Sequence, residues 1–395
     1  MENLKKITDD IYFVGGADRK ITLFESAYPV PYGMSYNSYL LKGTETVLFD
    51  TVDSSVEEVF FKNLEAVLNG QRLDYVIVHH IEPDHSATLK AVLQKYKETK
   101  IICNIKTKAM IFQFCGEVAE ERFITVNEGE SLELGGHNIS FYMAPMVHWP
   151  EVMVSFDKTE KILFSADAFG TFGDKGAECF ADETEYSLDE ARRYYTNIVG
   201  KYGTQVKALL KKAAALDIKY ICPLHGPVIR KNIDMIIEKY DKWSGYTPIE
   251  EGVLIAYASI YGNTENAAEI LCKKLNESGI KTKIYDTSYT HYSYILSDAF
   301  HFSHIVLASP TYNGGIFTSM EFLLNEMKSH NLQNRTVGII ENGSWGPVAG
   351  KLIKNTLYEM KNITVLEPTV TIKSTLKEEQ LLAIDQLAEA LKNSI

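Results

Sequence analysis

Between Tyr246 and Gly252 the rhythm of the chain changes, and that change constrains the fold more than any other feature of the sequence. Beyond it the pattern predicts strand Val253 to Ser259, helix Thr264 to Ser278, strand Lys281 to Asp286, strand Ile305 to Ser309 and helix Phe317 to Lys328. Strand Thr336 to Glu341, helix Val348 to Met360, strand Thr364 to Val370 and a last helix from Lys377 to Leu391 complete it. Strands that are apolar throughout must be covered on both faces, so this half predicts a doubly wound α/β fold with a parallel sheet. The turn-prone, charged segment Tyr246-Thr-Pro-Ile-Glu-Glu-Gly252 follows a helical stretch from Asn232 to Trp243 and marks the boundary, giving regions 1–249 and 250–395. A chain of 395 residues is in any case too long for one comfortable core.

The first region has a different texture. β-favouring runs at Tyr12-Phe13-Val14, Ser38-Tyr39-Leu40-Leu41 and Thr46-Val47-Leu48-Phe49 are separated by Gly and Pro turns. A helix should follow, capped by Ser54 with Glu57 three residues on, its apolar stripe formed by Val56, Val59, Phe60, Leu64, Val67 and Leu68. Asp74 to His80 reads as a buried strand, and the strands Phe141 to Ala144 and Lys161 to Ser165 likewise stop just short of a polar residue of interest. Loops at strand ends can bring together side chains that are distant in sequence. This half is therefore expected to be a sandwich-like sheet structure with outer helices, whose loops build one site.

Those loops carry metal-binding side chains. His80-Ile-Glu82-Pro-Asp84-His85 sets four ligand types within six residues, and His148, Asp167 and His225 follow at later turns. The alternation of His80, Glu82 and Asp84 in an extended segment would point all three the same way, and Pro83 favours extension at Glu82. Imidazole with carboxylate and no thiolate suits iron, zinc or manganese. Seven groups exceed what one tetrahedral ion needs and suit two metals sharing a carboxylate, roughly 3.5–4 Å apart. His79 should face the opposite side of the strand. His291, His301, His304 and His330 lack carboxylate spacing and read as core or surface residues.

The second region opens on a phosphate loop. Val253 to Ala258 runs into Ser259-Ile260-Tyr261-Gly262-Asn263-Thr264 and then a helix, combining hydroxyls, free backbone N–H groups and the positive end of a helix. The glycine fingerprint of dinucleotide sites and the Walker lysine are both missing. Two more strand-end loops, Ser309-Pro310-Thr311-Tyr312-Asn313-Gly314-Gly315 and Asn342-Gly343-Ser344-Trp345-Gly346, pair glycines with one aromatic able to cover a flat ring.

These motifs carry a resemblance. His80-Ile-Glu-Pro-Asp-His85, Met146-Val-His148, Ser165-Ala-Asp167 and Pro223-Leu-His225-Gly resemble the metallo-β-lactamase-type core of flavodiiron proteins, and the second region resembles flavodoxin. Hydrolases of that superfamily show H-x-H-x-D-H; here Glu82 replaces the second histidine, as in the iron-binding variant. The resemblance implies an α/β multidomain chain, an N-terminal metallo-β-lactamase-like αββα sandwich followed by a C-terminal flavodoxin-like doubly wound parallel sheet. It further implies two non-haem iron ions with a μ-oxo or hydroxo bridge, and FMN. His80, Glu82 and His148 would bind one iron, Asp84, His85 and His225 the other, with Asp167 bridging. Ser259, Tyr261, Asn263 and Thr264 would hold the phosphate and the loops around Tyr312 and Trp345 the isoalloxazine. The implied activity is reduction of O2 to water or of NO to N2O, by a head-to-tail homodimer or a tetramer, fed by a rubredoxin-like donor or a deazaflavin. Tyr194 and Tyr195 are candidates for a hydrogen bond near the pocket, besides plain packing roles.

The bulk composition narrows the alternatives. With 40 basic against 52 acidic residues the net charge is −12, which argues against nucleic-acid or anionic-membrane binding. The N-terminus lacks the apolar core of a secretory signal and no run approaches the roughly 20 apolar residues of a spanning helix, so a cytoplasmic protein is expected. Five cysteines at 103, 115, 179, 222 and 272 form no C-x-x-C pair, which disfavours disulfide, zinc-knuckle and iron–sulfur readings. A two-metal hydrolase fused to a flavin carrier is the competing function, and a carrier with an inactive first region is a third.

Overall fold

The computed structural model describes residues 5–174 and 180–395, so Cys179 and the first four residues of the N-terminal reading lie outside it. Two compact units emerge: Met1–Tyr195 with Thr204–Asp241, and Thr196–Gly203 with Lys242–Ile395.

The first unit is built on two sheets. Among the described residues, one runs in the order Ile11–Phe13, Tyr39–Lys42, Thr46–Phe49, Tyr75–Ile77, Lys100–Cys103, Phe123–Thr125. Its first two pairings are antiparallel and the rest parallel. The other sheet runs Ser131–Leu134, His137–Met143, Met153–Asp157, Ile162–Phe164, Tyr220–Cys222, antiparallel until its last, parallel pair. Leu41, Val47, Phe49, Ile77 and Ile102 from the first sheet share one buried cluster with Ile139, Phe141, Met153, Ile162 and Phe164 from the second. The two sheets therefore pack face to face, and the Phe49 and Phe164 rings stack 3.8 Å apart between them.

The second unit has its central parallel strands in the order Thr282–Asp286, Glu250–Tyr257, Phe302–Tyr312, Arg335–Asn342, Ile363–Val365. Numbered along the chain this is the order 2-1-3-4-5 of a flavodoxin-like sheet, whose switch point lies beside the first strand. Val253, Ile255, Val306, Ala308 and Ile340 are buried under helices Asn263–Glu277 and Glu378–Ser394, which contribute Ala267, Leu271, Ile384 and Leu387. Burial on both faces explains why these strands lack polar alternation.

Several local expectations change. The first helix begins at Glu57 rather than at a Ser54 cap: Ser54–Val56 is a 3-10 turn, and Asp53 accepts from Ser55 N. Val59 lies outside the apolar stripe and is exposed. A helix, Tyr292–His301, occupies a stretch the sequence left unassigned, because its capping acceptor is the His291 ring, which takes Ser293 N, rather than a Ser, Thr, Asp or Asn. The strand expected from Thr364 to Val370 is two, Ile363–Val365 and Val370–Ile372, since Pro368 cannot donate to a central ladder. Among the described residues no helix is long and apolar enough to cross a membrane, and the four described cysteines are free thiols.

Candidate metal centre and flavin loops

Four strand-following segments converge in the first unit. Tyr75–Ile77 leads to His80, the loop between His137–Met143 and Met153–Asp157 carries His148, Ile162–Phe164 leads to Asp167, and Tyr220–Cys222 to His225. Backbone bonds lock these loops to one another: Leu224 N donates to Ala166 O (2.9 Å), Asn37 N to Leu224 O (2.8 Å) and Met153 N to His79 O (3.1 Å). Gly226, at φ +80°, closes the last turn where a Cβ would run into the Thr171 methyl, so glycine is required on both counts.

The expectation that His80, Glu82 and Asp84 all point one way from an extended segment is corrected. Extension ends at Glu82 (ψ 141°), and Pro83–Ser86 is a helical turn with proline at its start. That turn rotates Asp84 and His85 away from Glu82, and the ligands divide into two groups: His80, Glu82, His148 and Asp167, and Asp84, His85 and His225.

The distances within these groups suit a metal ion on each side. Glu82 Oε2 lies 3.0 Å from Nε2 of both His80 and His148. Asp84 Oδ2 lies 3.1 Å from His225 Nε2 and 3.3 Å from His85 Nε2. Asp167 faces both groups: Oδ2 is 3.3 Å from His80 and His148, while Oδ1 is 3.1 Å from His85 and 3.6 Å from His225. Two donors bound at roughly 2.1 Å and near right angles would be about 3.0 Å apart, so these edges fit a common ion on each side. Both oxygens of Asp84 are shielded from solvent and accept no aligned hydrogen bond. A buried carboxylate left so is costly unless a cation completes it.

Electrostatics agree. Burial alone would lower the pKa of His80 and His148, yet hydrogen bonds to Asp167 and Glu82, with Glu151 adding to His80, hold His80 well above its ordinary value and His148 at about 9. Burial would raise Glu82, but His148 and His80 hold it down at about 2. A cation placed among these groups would meet the same carboxylates, and its binding would release the imidazole protons.

The sequence did not reveal the supporting groups. Glu151 Oε1 sits 2.7 Å from His80 Nδ1, and Ser35 O accepts from His225 Nδ1 at 2.7 Å. Asp50 Oδ2 lies 2.6 Å from His79 Nδ1, and His79 Nε2 is 2.8 Å from Ser155 Oγ, so His79 turns away from the ligands. The Trp149 ring stands edge-on to His80 at 5.3 Å, and Phe24 and Tyr36 do the same to His225 at 5.2 and 5.7 Å. Only Glu151 left a trace in the sequence, as a carboxylate three residues after His148. Tyr194 is buried with its ring 5.5 Å from that of His225, whereas Tyr195 packs edge-on against Tyr240.

In the second unit the three glycine-containing loops follow neighbouring strands. Gly262, at φ +83°, precedes helix Asn263–Glu277, and no side chain caps that helix. Ser259 Oγ is buried without a hydrogen-bond partner, so an oxyanion at the helix end would satisfy both it and the free N–H groups. Thr264 is buried, and its Oγ accepts from Asn342 Nδ2 (3.4 Å). Ser309 and Pro310 point inward, and Thr311 Oγ accepts from Val348 N and Ala349 N, which ties the second loop to the third. The aromatics stay outside: Tyr261 is 90% and Trp345 97% exposed, and Tyr312 pairs with Gly315 across the turn Asn313-Gly314. A further loop was missed: Ser374 Oγ donates to Ser344 Oγ (2.8 Å) and Ser374 O accepts from Asn342 Nδ2. The other histidines are structural, His301 pairing with Glu250 and His304 lying between Ser303 and Ser394.

Comparison with known proteins accounts for both units. Residues 34–226 match the ODP family beta lactamase and residues 255–386 match Flavodoxin. The rubredoxin-oxygen oxidoreductase of Megalodesulfovibrio gigas is 30% identical over 362 residues, covering 90% of this chain and 89% of that protein. The nitric oxide reductase of Moorella thermoacetica is 28% identical over 95% of this chain and 94% of its own. A flavo di-iron protein from Thermotoga maritima, solved as a point mutant, superposes with a TM-score of 0.89 at 26% identity, covering 99% of this chain and 98% of that one.

Proposed function

The chain belongs to the flavodiiron proteins, and on that premise we propose that it reduces O2 to water, NO to N2O, or both, drawing electrons from an external redox protein through FMN. The observation that carries this reading is Asp167, whose two oxygens face two separate ligand groups. O2 takes four electrons and four protons to give two waters; two NO take two electrons and two protons to give N2O and one water. Two ferrous irons and one fully reduced FMN would together hold the four electrons of the longer reaction.

His80, Glu82 and His148 would hold one iron, Asp84, His85 and His225 the other, with Asp167 shared. Bound there, two irons would supply the place where a diatomic gas is reduced, and FMN would supply electrons to it. The chain's own side chains do the rest. Trp149, Phe24 and Tyr36 place aromatic edges against His80 and His225, fixing the rings and limiting water. Burial, then Asp167 and Asp84, raises the Tyr194 pKa well above its ordinary value, so the ring that packs 5.5 Å from His225 stays neutral. On the flavin side Ser259, Gly262, Asn263 and Thr264 would bind the phosphate, Ile260 and Tyr261 would border it, and Tyr312 and Trp345 would flank the ring.

Glu82 separates this reading from a two-metal hydrolase, since a third carboxylate favours ferric iron and hydrolysis needs no flavin. The test is a count of metal and flavin with gas consumption under a rubredoxin-like donor. About two irons and one FMN per chain, with uptake of O2 or NO, support it; two zincs with esterase or nuclease activity would reverse it. A cytoplasmic, head-to-tail homodimer in which the FMN of one chain serves the irons of the other completes the proposal, because one two-fold interface creates two such pairs. Mixing Asp167→Ala with Trp345→Ala chains should restore one working pair per mixed dimer; no recovery despite verified exchange would reject it.

A further inference from the structure

Counted by ligands alone the two iron positions are alike, each with two imidazoles, one carboxylate and one oxygen of Asp167. They differ one layer out. His80 Nδ1 meets Glu151 Oε1 at 2.7 Å with both side chains fully buried, and that oxygen also accepts from Ile81 N at 3.1 Å. Glu151 is held in place by its own backbone, whose carbonyl accepts from Asn104 Nδ2 (2.6 Å). In the other group His225 Nδ1 meets only a neutral carbonyl, that of Ser35, and His85 Nδ1 is buried with no hydrogen-bond partner.

We propose that Glu151 stabilises the ferric state of the iron at His80, Glu82 and His148, so that the first electron entering the oxidised pair settles on the iron at Asp84, His85 and His225. An anionic acceptor on Nδ1–H draws that proton away and makes Nε2 a stronger donor, which favours the more highly charged metal; a carbonyl does this less and an empty position not at all. The absence of solvent around both His80 and Glu151 keeps the effect from being screened. Glu151 is thus a positioning and tuning residue that acts through His80. The inference rests on the proposed diiron site.

The experiment is a dithionite titration of the iron- and FMN-loaded protein with redox mediators, following the mixed-valent diiron signal by EPR. Each step adds one electron to one ferric ion, and the height of the signal gives the comproportionation constant. Glu151→Gln retains an acceptor for His80 and Ile81 but removes the charge. The second, lower-potential step should rise and the constant fall at least tenfold, about 59 mV for one electron, with the first step unmoved. An unchanged or larger constant in an iron-replete Glu151→Gln protein would overturn the proposal, because a purely orienting role is rescued by glutamine. Since the Gln amide would occupy the place of Oε2, which has no partner, Glu151→Asp serves as the second variant. It keeps the charge and should leave the constant closer to native than Glu151→Gln does, or, if the Gln variant cannot be loaded, within tenfold of native; a fall of tenfold or more in that case, with the charge kept, overturns the proposal. Iron loss from both variants would make Glu151 a holding group and overturn the tuning role. A native protein without two irons and without any mixed-valent signal would instead refute the diiron reading itself.

Discussion

Arg335→Met should weaken the C-terminal unit by about 1–5 kcal/mol and leave the candidate metal ligands untouched. Arg335 is only 2% exposed. Its Nε donates to Ala299 O (2.8 Å), Nη2 to Phe300 O (2.7 Å), and Nη1 to Tyr246, Gln333 and Asn334 O at 2.8, 2.9 and 3.0 Å. Ala299 and Phe300 belong to the last turn of helix Tyr292–His301, whose carbonyls have no partners within the helix, so the guanidinium caps it. The same group fixes the start of strand Arg335–Asn342, which leads to the Trp345 loop. Burial alone pushes its pKa down, to about 9, with no carboxylate to oppose it. Methionine keeps an apolar stem and removes every donor. The carbonyls of Ala299, Phe300 and Gln333 lose their donor at about 1–3 kcal/mol each, roughly 3–9 in all, while Tyr246 O keeps Asn334 Nδ2 at 3.5 Å and the part-buried Asn334 O turns to water. Removing the buried charge returns several kcal/mol of desolvation, and the difference is the stated loss. Lysine should be no better than methionine, because it keeps the buried charge and has only three donors at one point. Urea unfolding followed by FMN release, with iron counted in parallel, measures this. A loss under about 1 kcal/mol for Met, or native stability for Lys, would refute the reasoning.

Asp167→Ala should lower iron affinity by more than about 100-fold, beyond the range usual for outer-shell groups, with FMN still bound; metal analysis of the purified variant checks it. Gly262→Ala forces a side chain into the left-handed region, with only Glu265 Oε2 nearby at 3.8 Å, so the cost is backbone strain of about 1–2 kcal/mol. If the loop orders on the phosphate, FMN titration should show weakening of about 5–30-fold. His137 pairs with Asp157 at 2.7 Å, and that bond, against burial, raises its pKa above 6.5. A raised histidine stabilises the fold fully below pH 6.5 and loses the effect as pH climbs through its folded-state value. The difference in thermal midpoint between the native chain and His137→Gln should therefore shrink with rising pH.

The parallel sheet of the second unit was legible because burial on both faces writes itself as unbroken apolar runs such as Val253 to Ala258. Helix Tyr292–His301 was not, because its cap is a histidine and its sequence mixes Tyr and Ser with the apolar residues. In the first unit each candidate ligand follows a recognisable strand, but the sorting into two groups depends on the turn at Pro83, which a period-two reading of His80, Glu82 and Asp84 cannot show. Glu151, Ser35 and Asp50 escaped notice because their partners are 71, 190 and 29 residues away, and pairing at that range is a property of the fold alone.

Those same partners bear on how such a centre is filled. Asp50, Glu151 and the Ser35 carbonyl hold His79, His80 and His225 through bonds that belong to the protein and would be made with or without an ion. The ligand cage is therefore ready before its contents arrive, unlike a small zinc module that folds only around its metal. A prepared cage of nitrogen and oxygen donors has little means of refusing zinc or manganese by affinity. Beyond the preference for ferric iron that Glu82 brings, the metal it takes would depend on supply and order of arrival, and a chain loaded with zinc should fold and bind flavin yet pass no electrons to a gas.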